Sequence, residues 1–226
     1  MRAVVAWLFA LTIAVPAHAV SLDALTNKDA AAGLKEALTQ GAGKAVAALG
    51  KADGFLGNPQ VKIPLPESLH GAEGLMRAVG MGKYADELVA AMNHAAEAAV
   101  PEAKALLVDA IKKMSVQDAK VILSGGNDAA TQYFRRTTAE PLAGKFRPIV
   151  GKAIAKVKLA EKYDEFAGKA AKFGLVKEQD THLENYVTQK ALDGLYLMIA
   201  EEEKSIRQNP VGAAGNLAQK VFGALK

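Results

Sequence analysis

LENYVTQKALDGLYLMIAEEEKSIR, Leu183 to Arg207, decides the fold. At about 100° per residue, Val187, Ala191, Leu195 and Met198 fall on one stripe, flanked by Leu192, Ile199 and Ile206. No alternation of apolar and polar residues competes with that period here or elsewhere in the chain. Alanine makes up about a fifth of the residues, and Leu, Lys and Glu are also plentiful, whereas β-branched and aromatic residues are sparse. These are the helix-forming residues. The expectation is an all-α protein: a compact multi-helix bundle of about eight or nine short to medium helices.

Working outward, helices are expected near 28–49, 67–79, 83–98 and 101–113, the last with Pro101 in its first turn. Gly41 and Gly43 weaken the first of these, at about 1 kcal/mol each against Ala. Ser115 and Asp118 have the spacing of a capping box for a short helix that ends at Ser124-Gly125-Gly126-Asn127. Further helices are expected over 128–138, from Pro141 to about Val157 with a break at Pro148, over 159–173, and over 211–225 beyond Asn209-Pro210. Between the first and second helices lies KADGFLGNPQVKIPLPESL, residues 51–69, with three of the eight prolines. Asp53-Gly54 and Asn58-Pro59 are turn signals, and Pro64 and Pro66 hold the chain extended. Residues 51–66 therefore read as an irregular, ordered strap. A single domain over 20–226 is expected, with a subdivision near Gly125 as the alternative.

The chain opens MRAVVAWLFALTIAVPAHA, residues 1–19. A positive start, an apolar run and small residues at Ala17 and Ala19 are the pattern of a cleaved secretory signal peptide. The apolar run, Ala3 to Val15, is short of the roughly 20 residues that span a bilayer. The expected mature protein is periplasmic with no transmembrane span. With no cysteine anywhere, it carries no lipid at the cut, no disulfide and no thiolate metal site.

Lys and Arg number 28 against 24 Asp and Glu, a formal charge of +4, one less once Arg2 is removed. So small an excess argues against nucleic acid as a partner. His70, His94 and His182 lack ligand spacing, so no metal site is expected. Gly80 to Ala85 fits a loose GxGxxA, but no strand precedes it, and a turn between helices explains both glycines. Phosphate-loop, nucleophile-elbow and calcium-loop patterns are absent. The chain is expected to hold no cofactor and no catalytic residue can be named.

Two features point to binding. In SGGNDAATQYFRR, Ser124 to Arg136, two glycines leave backbone N–H groups open at a helix start, where anions are favoured. Glu202 projects into the apolar stripe of 183–207 and needs a cation, since a lone buried carboxylate is costly. It is expected to pair with Arg135, Arg136 or Arg147, with Tyr133 nearby, as a buried ion pair or as a ligand cluster. Glu201 and Glu203 are expected to point toward solvent. The second feature is Pro141 to Ala160, with Lys145, Arg147, Lys152, Lys156 and Lys158 and no acid. A basic amphipathic segment lies on an anionic membrane or covers its own core.

The blocks KIPLPESL (62–69), AVPEAK (99–104), DAIKKMSVQDAKVILSGG (109–126), ATQYFRR (130–136), KFRPIV (145–150) and YVTQKALDGLYLMIAEEEK (186–204) give the chain a resemblance. From Ala30 to Gly223 it resembles bacterial exported proteins grouped as domain of unknown function 4197. The resemblance implies an exported helical protein of Gram-negative-type bacteria, and no reaction, ligand or catalytic residue. Some similar proteins look like lipoproteins, but this chain has no cysteine to accept the lipid. Three functions follow. The first is a non-enzymatic binder of a lipid, a hydrophobic small molecule or a membrane surface. The second is a module that docks an envelope protein. The third is an enzyme with Tyr133, Arg135, Arg136 and Glu202 in one pocket.

Overall fold

Thr26 starts the first helix: its backbone is extended and its hydroxyl accepts the Asp29 amide, which satisfies one of the free N–H groups of a helix start. α1 then runs Asn27–Leu49. The computed structural model describes residues 26–80, 82–157, 160, 163, 182–209 and 215–223. Along the chain follow α2 (Glu67–Ala78), α3 (Gly82–Ala99), a 3-10 turn (Val100–Glu102), α4 (Ala103–Lys113), α5 (Val116–Ser124), α6 (Ala129–Ile154), α7 (Leu183–Gln208) and α8 (Asn216–Gly223). The described residues contain no strand, and the fold is all-α. The expected signal peptide, the helix expected over 159–173 and Lys158 lie outside the described residues or almost wholly so.

α7 sits at the centre, packed against α6, α1 and α3. Its buried residues, among them Val187, Ala191, Leu192, Leu195, Tyr196, Ile199 and Ile206, cover far more than one stripe. The buried apolar side chains of the described residues form one cluster. Alanines at 37, 42 and 45 of α1 and at 95, 96 and 99 of α3 are all buried, so small residues set a close approach between helices. Gly41 does not break α1. It is buried, and a Cβ there would meet Ile206 and the Glu202 Cβ at 3.4 and 3.5 Å.

The break expected between 138 and 157 is absent, because α6 is continuous through Pro141 and Pro148. A proline inside a helix deprives the carbonyl four residues earlier of its partner. Those carbonyls belong to Thr137 and Gly144, which are exposed, as are both prolines. Solvent can take the freed groups, while Thr138, Leu142, Phe146, Val150 and Ile154 bury the opposite face.

The strap takes the expected form, with turns over 51–61 and extended chain over 62–66. Phe55, Val61, Ile63 and Leu65 are buried beneath it. At Gly194 the Phe55 ring comes so close that a Cβ would lie 2.8 Å from it. α5 begins with the expected box: Ser115 Oγ accepts the Asp118 amide, and the Ser115 amide donates to the Asp118 carboxylate. No described helix is long and apolar enough to cross a membrane.

Candidate functional site

The start of α6 was expected to attract an anion, and it holds one from within the chain. Asp128 makes no side-chain cap. Instead the amides of Ala130 and Thr131 donate to the two oxygens of Glu203, each at 3.0 Å, and the Thr131 hydroxyl donates at 3.0 Å as well. These are the N–H groups that a serine or threonine cap would take, and the helix dipole adds to the attraction. Arg207, one turn further along α7, donates to Glu203 Oε1 from Nη2 at 2.9 Å and from Nε at 3.2 Å. The same Nη2 donates to the Ile122 carbonyl at 2.8 Å, at the end of α5. The Glu203 and Arg207 side chains are only 3% and 11% exposed. One carboxylate and one guanidinium thus tie α5, α6 and α7 together, with the carboxylate fully engaged.

Glu203 corrects the expectation that it faces solvent. The stripe drawn through Val187 and Met198 was too narrow. Glu203 stands about 160° from Val187, between Leu192 and Tyr196 on the wheel, and α7 is buried over that whole arc. The clue in sequence was the spacing of Glu203 and Arg207, four residues apart. Asn127-Asp128 reads as a start capped by its own side chains, and only the structure shows that Asp128 leaves the cap to Glu203.

Glu202 does not pair with Arg135, Arg136 or Arg147. It is half-buried, and among the described residues its ion pair is with Lys44 Nζ of α1, at 3.8 Å. Arg135 donates to Asp193 at 3.0 Å and lies 4.7 Å from the centre of the Tyr196 ring. Asp193 is nine residues from Glu202, roughly 13 Å along the helix axis. Arg136 turns back over Tyr133, 5.6 Å from its ring centre. Arg147 is exposed, with no ion pair among the described residues. The structure therefore joins Tyr133 only to Arg136 and leaves the other expected members apart.

Tyr133 and Tyr196 are both buried and serve the packing. Tyr133 donates to the Ala110 carbonyl at 2.9 Å, and Tyr196 shares a 2.9 Å bond with the Thr138 hydroxyl. Burial pushes both phenols above their ordinary pKa, which keeps them neutral donors over the physiological range.

A second buried polar pair pins the strap, and sequence gave no signal for it beyond Asn and Glu four apart on α3. Asn93 accepts the Ile63 amide at 2.8 Å and donates to the Ile63 carbonyl at 2.9 Å. Glu97 accepts the Phe55 and Leu56 amides at 3.0 and 3.1 Å. Tyr186 adds a bond to the Pro64 carbonyl at 3.1 Å.

Between α1, α6 and α7 a gap of about 10 Å³ is lined by Leu38, Gly41, Phe134, Ile199, Glu203 and Ile206. It holds one water at most and no lipid chain. No group of three or more His, Asp or Glu among the described residues could hold a metal. Lys145, Lys152 and Lys156 of the basic segment are exposed.

A family description, protein of unknown function (DUF4197), matches residues 24–223. No curated protein and no solved structure matches the chain.

Proposed function

The chain belongs to the DUF4197 family of proteins of unknown function, and for a member with this geometry we propose an exported, non-enzymatic helical module that acts through its outer surface on membranes of the cell envelope. The observation that carries this reading is where the polar groups stand. Glu203, Arg207, Asn93 and Glu97 are each engaged with backbone or with one another inside the fold. The cations at 145, 147, 152 and 156 are exposed and lack ion pairs among the described residues. Chemistry turned inward serves architecture, and charge turned outward is available to a partner. An N-terminal segment with the charge, apolar and small-residue pattern of a signal peptide supports a periplasmic address.

Flotation of the purified protein with vesicles of its host's envelope lipids tests the reading, beside native mass spectrometry of protein recovered from the periplasm. Co-flotation is the expected result. Protein that neither floats nor carries lipid overturns it.

A second reading, a module that docks an envelope protein, draws on Val116 and Val121 of α5, 45% and 59% exposed. Crosslinking in cells at α5 decides it: adducts with a second protein support it, and monomer alone rules against it.

A further inference from the structure

The basic segment of α6 has two sides. Lys145, Lys152 and Lys156 are spaced seven and four residues apart, which puts them within about 40° of one another on the helix. α6 ends at Ile154, but Ala155 keeps helical dihedral angles and its amide still bonds the Gly151 carbonyl, so Lys156 stays close to the row. All three side chains are exposed, without an ion pair among the described residues. Beside the row the helix presents Pro141, Gly144, Pro148 and Ala155, also exposed, and nothing lies within 4 Å of where a Cβ on Gly144 would stand. The lysines therefore border a low ridge of small residues. Arg147 is exposed too, but about 160° round from Lys145, on the far flank of the buried face.

The helix dipole favours cations in a last turn and so accounts for Lys152 and Lys156. It does not account for Lys145, more than two turns from the end. Nor does the row resemble a protein-binding centre. It offers no aromatic or arginine anchor, and lysine is depleted in such interfaces. A flexible row of point charges over a flat, small-residue ridge suits a diffuse, planar field of negative charge.

We infer that Lys145, Lys152 and Lys156 form the face on which the protein lies against an anionic lipid surface, with Arg147 turned away from it. This rests on the surface-acting reading above and narrows it to one row of one helix. Each lysine near such a surface raises partitioning about fivefold, and three together about a hundredfold. The attraction fades with added salt, as the screening length shortens.

The test is co-sedimentation of the full chain with vesicles of phosphatidylglycerol mixed into phosphatidylcholine, and with phosphatidylcholine alone. Any contribution from the apolar N-terminal run is common to every variant. Lys145→Gln/Lys152→Gln/Lys156→Gln is expected to lose about a hundredfold in partitioning to the anionic vesicles. Arg147→Gln is expected to stay within about twofold of wild type, with helical circular dichroism unchanged in both. Triple-variant binding equal to wild type overturns the row, as does an Arg147→Gln loss matching that of a single lysine. If wild type also binds both vesicle types equally, the row falls while the surface-acting reading stands. If wild type binds neither vesicle, both fall.

Discussion

Glu203 and Thr131 meet at the first turn of α6, where one carboxylate oxygen accepts both the amide and the hydroxyl of the threonine at 3.0 Å. The other oxygen takes the Ala130 amide and Arg207. Removing this side chain strands two buried amides and a guanidinium at once. Glu203→Ala should cost about 3 kcal/mol, because breaking one partner of a buried pair leaves the other uncompensated. Its neighbour Glu202, half-exposed and 3.8 Å from Lys44, should change stability by less than about 1 kcal/mol as Glu202→Gln. Urea unfolding of the two variants checks the contrast. Equal losses would mean that the joint between α5, α6 and α7 does not depend on Glu203.

That joint also shows what sequence could and could not tell. The capping box at Ser115 and Asp118 was legible because it is local: both partners lie within one turn. The strap was legible because proline fixes the chain whatever surrounds it. α7 was legible as a helix, but its buried arc was not. A central helix is covered on more than one side, so a single stripe understates it and mistakes Glu203 for a surface residue. Pro141 and Pro148 misled for the related reason that the cost of an interior proline depends on whether solvent reaches the freed carbonyl. The Asn93 and Glu97 contacts to the strap span 30 and 41–42 residues, and no spacing rule reaches that far.

Asn93 holds the strap by both polar groups of Ile63. Asn93→Ala would leave that buried amide and carbonyl without partners, at about 2 to 3 kcal/mol. The loss should fall first on the strap, since Glu97 still holds the Phe55 end. Trypsin is expected to cut after the exposed Lys62 many-fold faster in the variant, and the Ile63 amide to exchange sooner by mass spectrometry. Unchanged cleavage and exchange would show that Asn93 is not what fastens the strap.

Two helical glycines should respond oppositely to the same methyl. Around Gly43 of α1 no atom lies within 4 Å of a built Cβ, so Gly43→Ala should gain about 0.5 to 1 kcal/mol from helix propensity alone. At Gly194 of α7 that Cβ would lie 2.8 Å from the Phe55 ring and 3.2 Å from the Val61 Cβ. Gly194→Ala should therefore lose about 1 to 3 kcal/mol as the strap is forced outward. Urea midpoints of the two variants supply the measurement. A gain at both positions would mean that the strap can shift away from α7 at little cost.

The α5 capping box gives a pH-dependent prediction. The Ser115 hydroxyl and amide hold the Asp118 carboxyl below its ordinary value of 3.8, with Arg136 adding a smaller pull. A carboxyl whose pKa falls on folding adds stability that is present above 3.8 and is lost as pH drops through the lowered value. Ser115→Ala should cost about 1 kcal/mol near neutral pH, as for other N-caps. Asp118→Asn should also destabilise there, and its difference from wild type should shrink as pH falls below about 5 and on through the lowered value, where the wild-type carboxylate is neutralised. Urea unfolding across that range, with the double variant to give the coupling between the two residues, tests it. A coupling that stays constant with pH would show that the charge on Asp118 contributes nothing, and that the box works through its neutral hydrogen bonds alone.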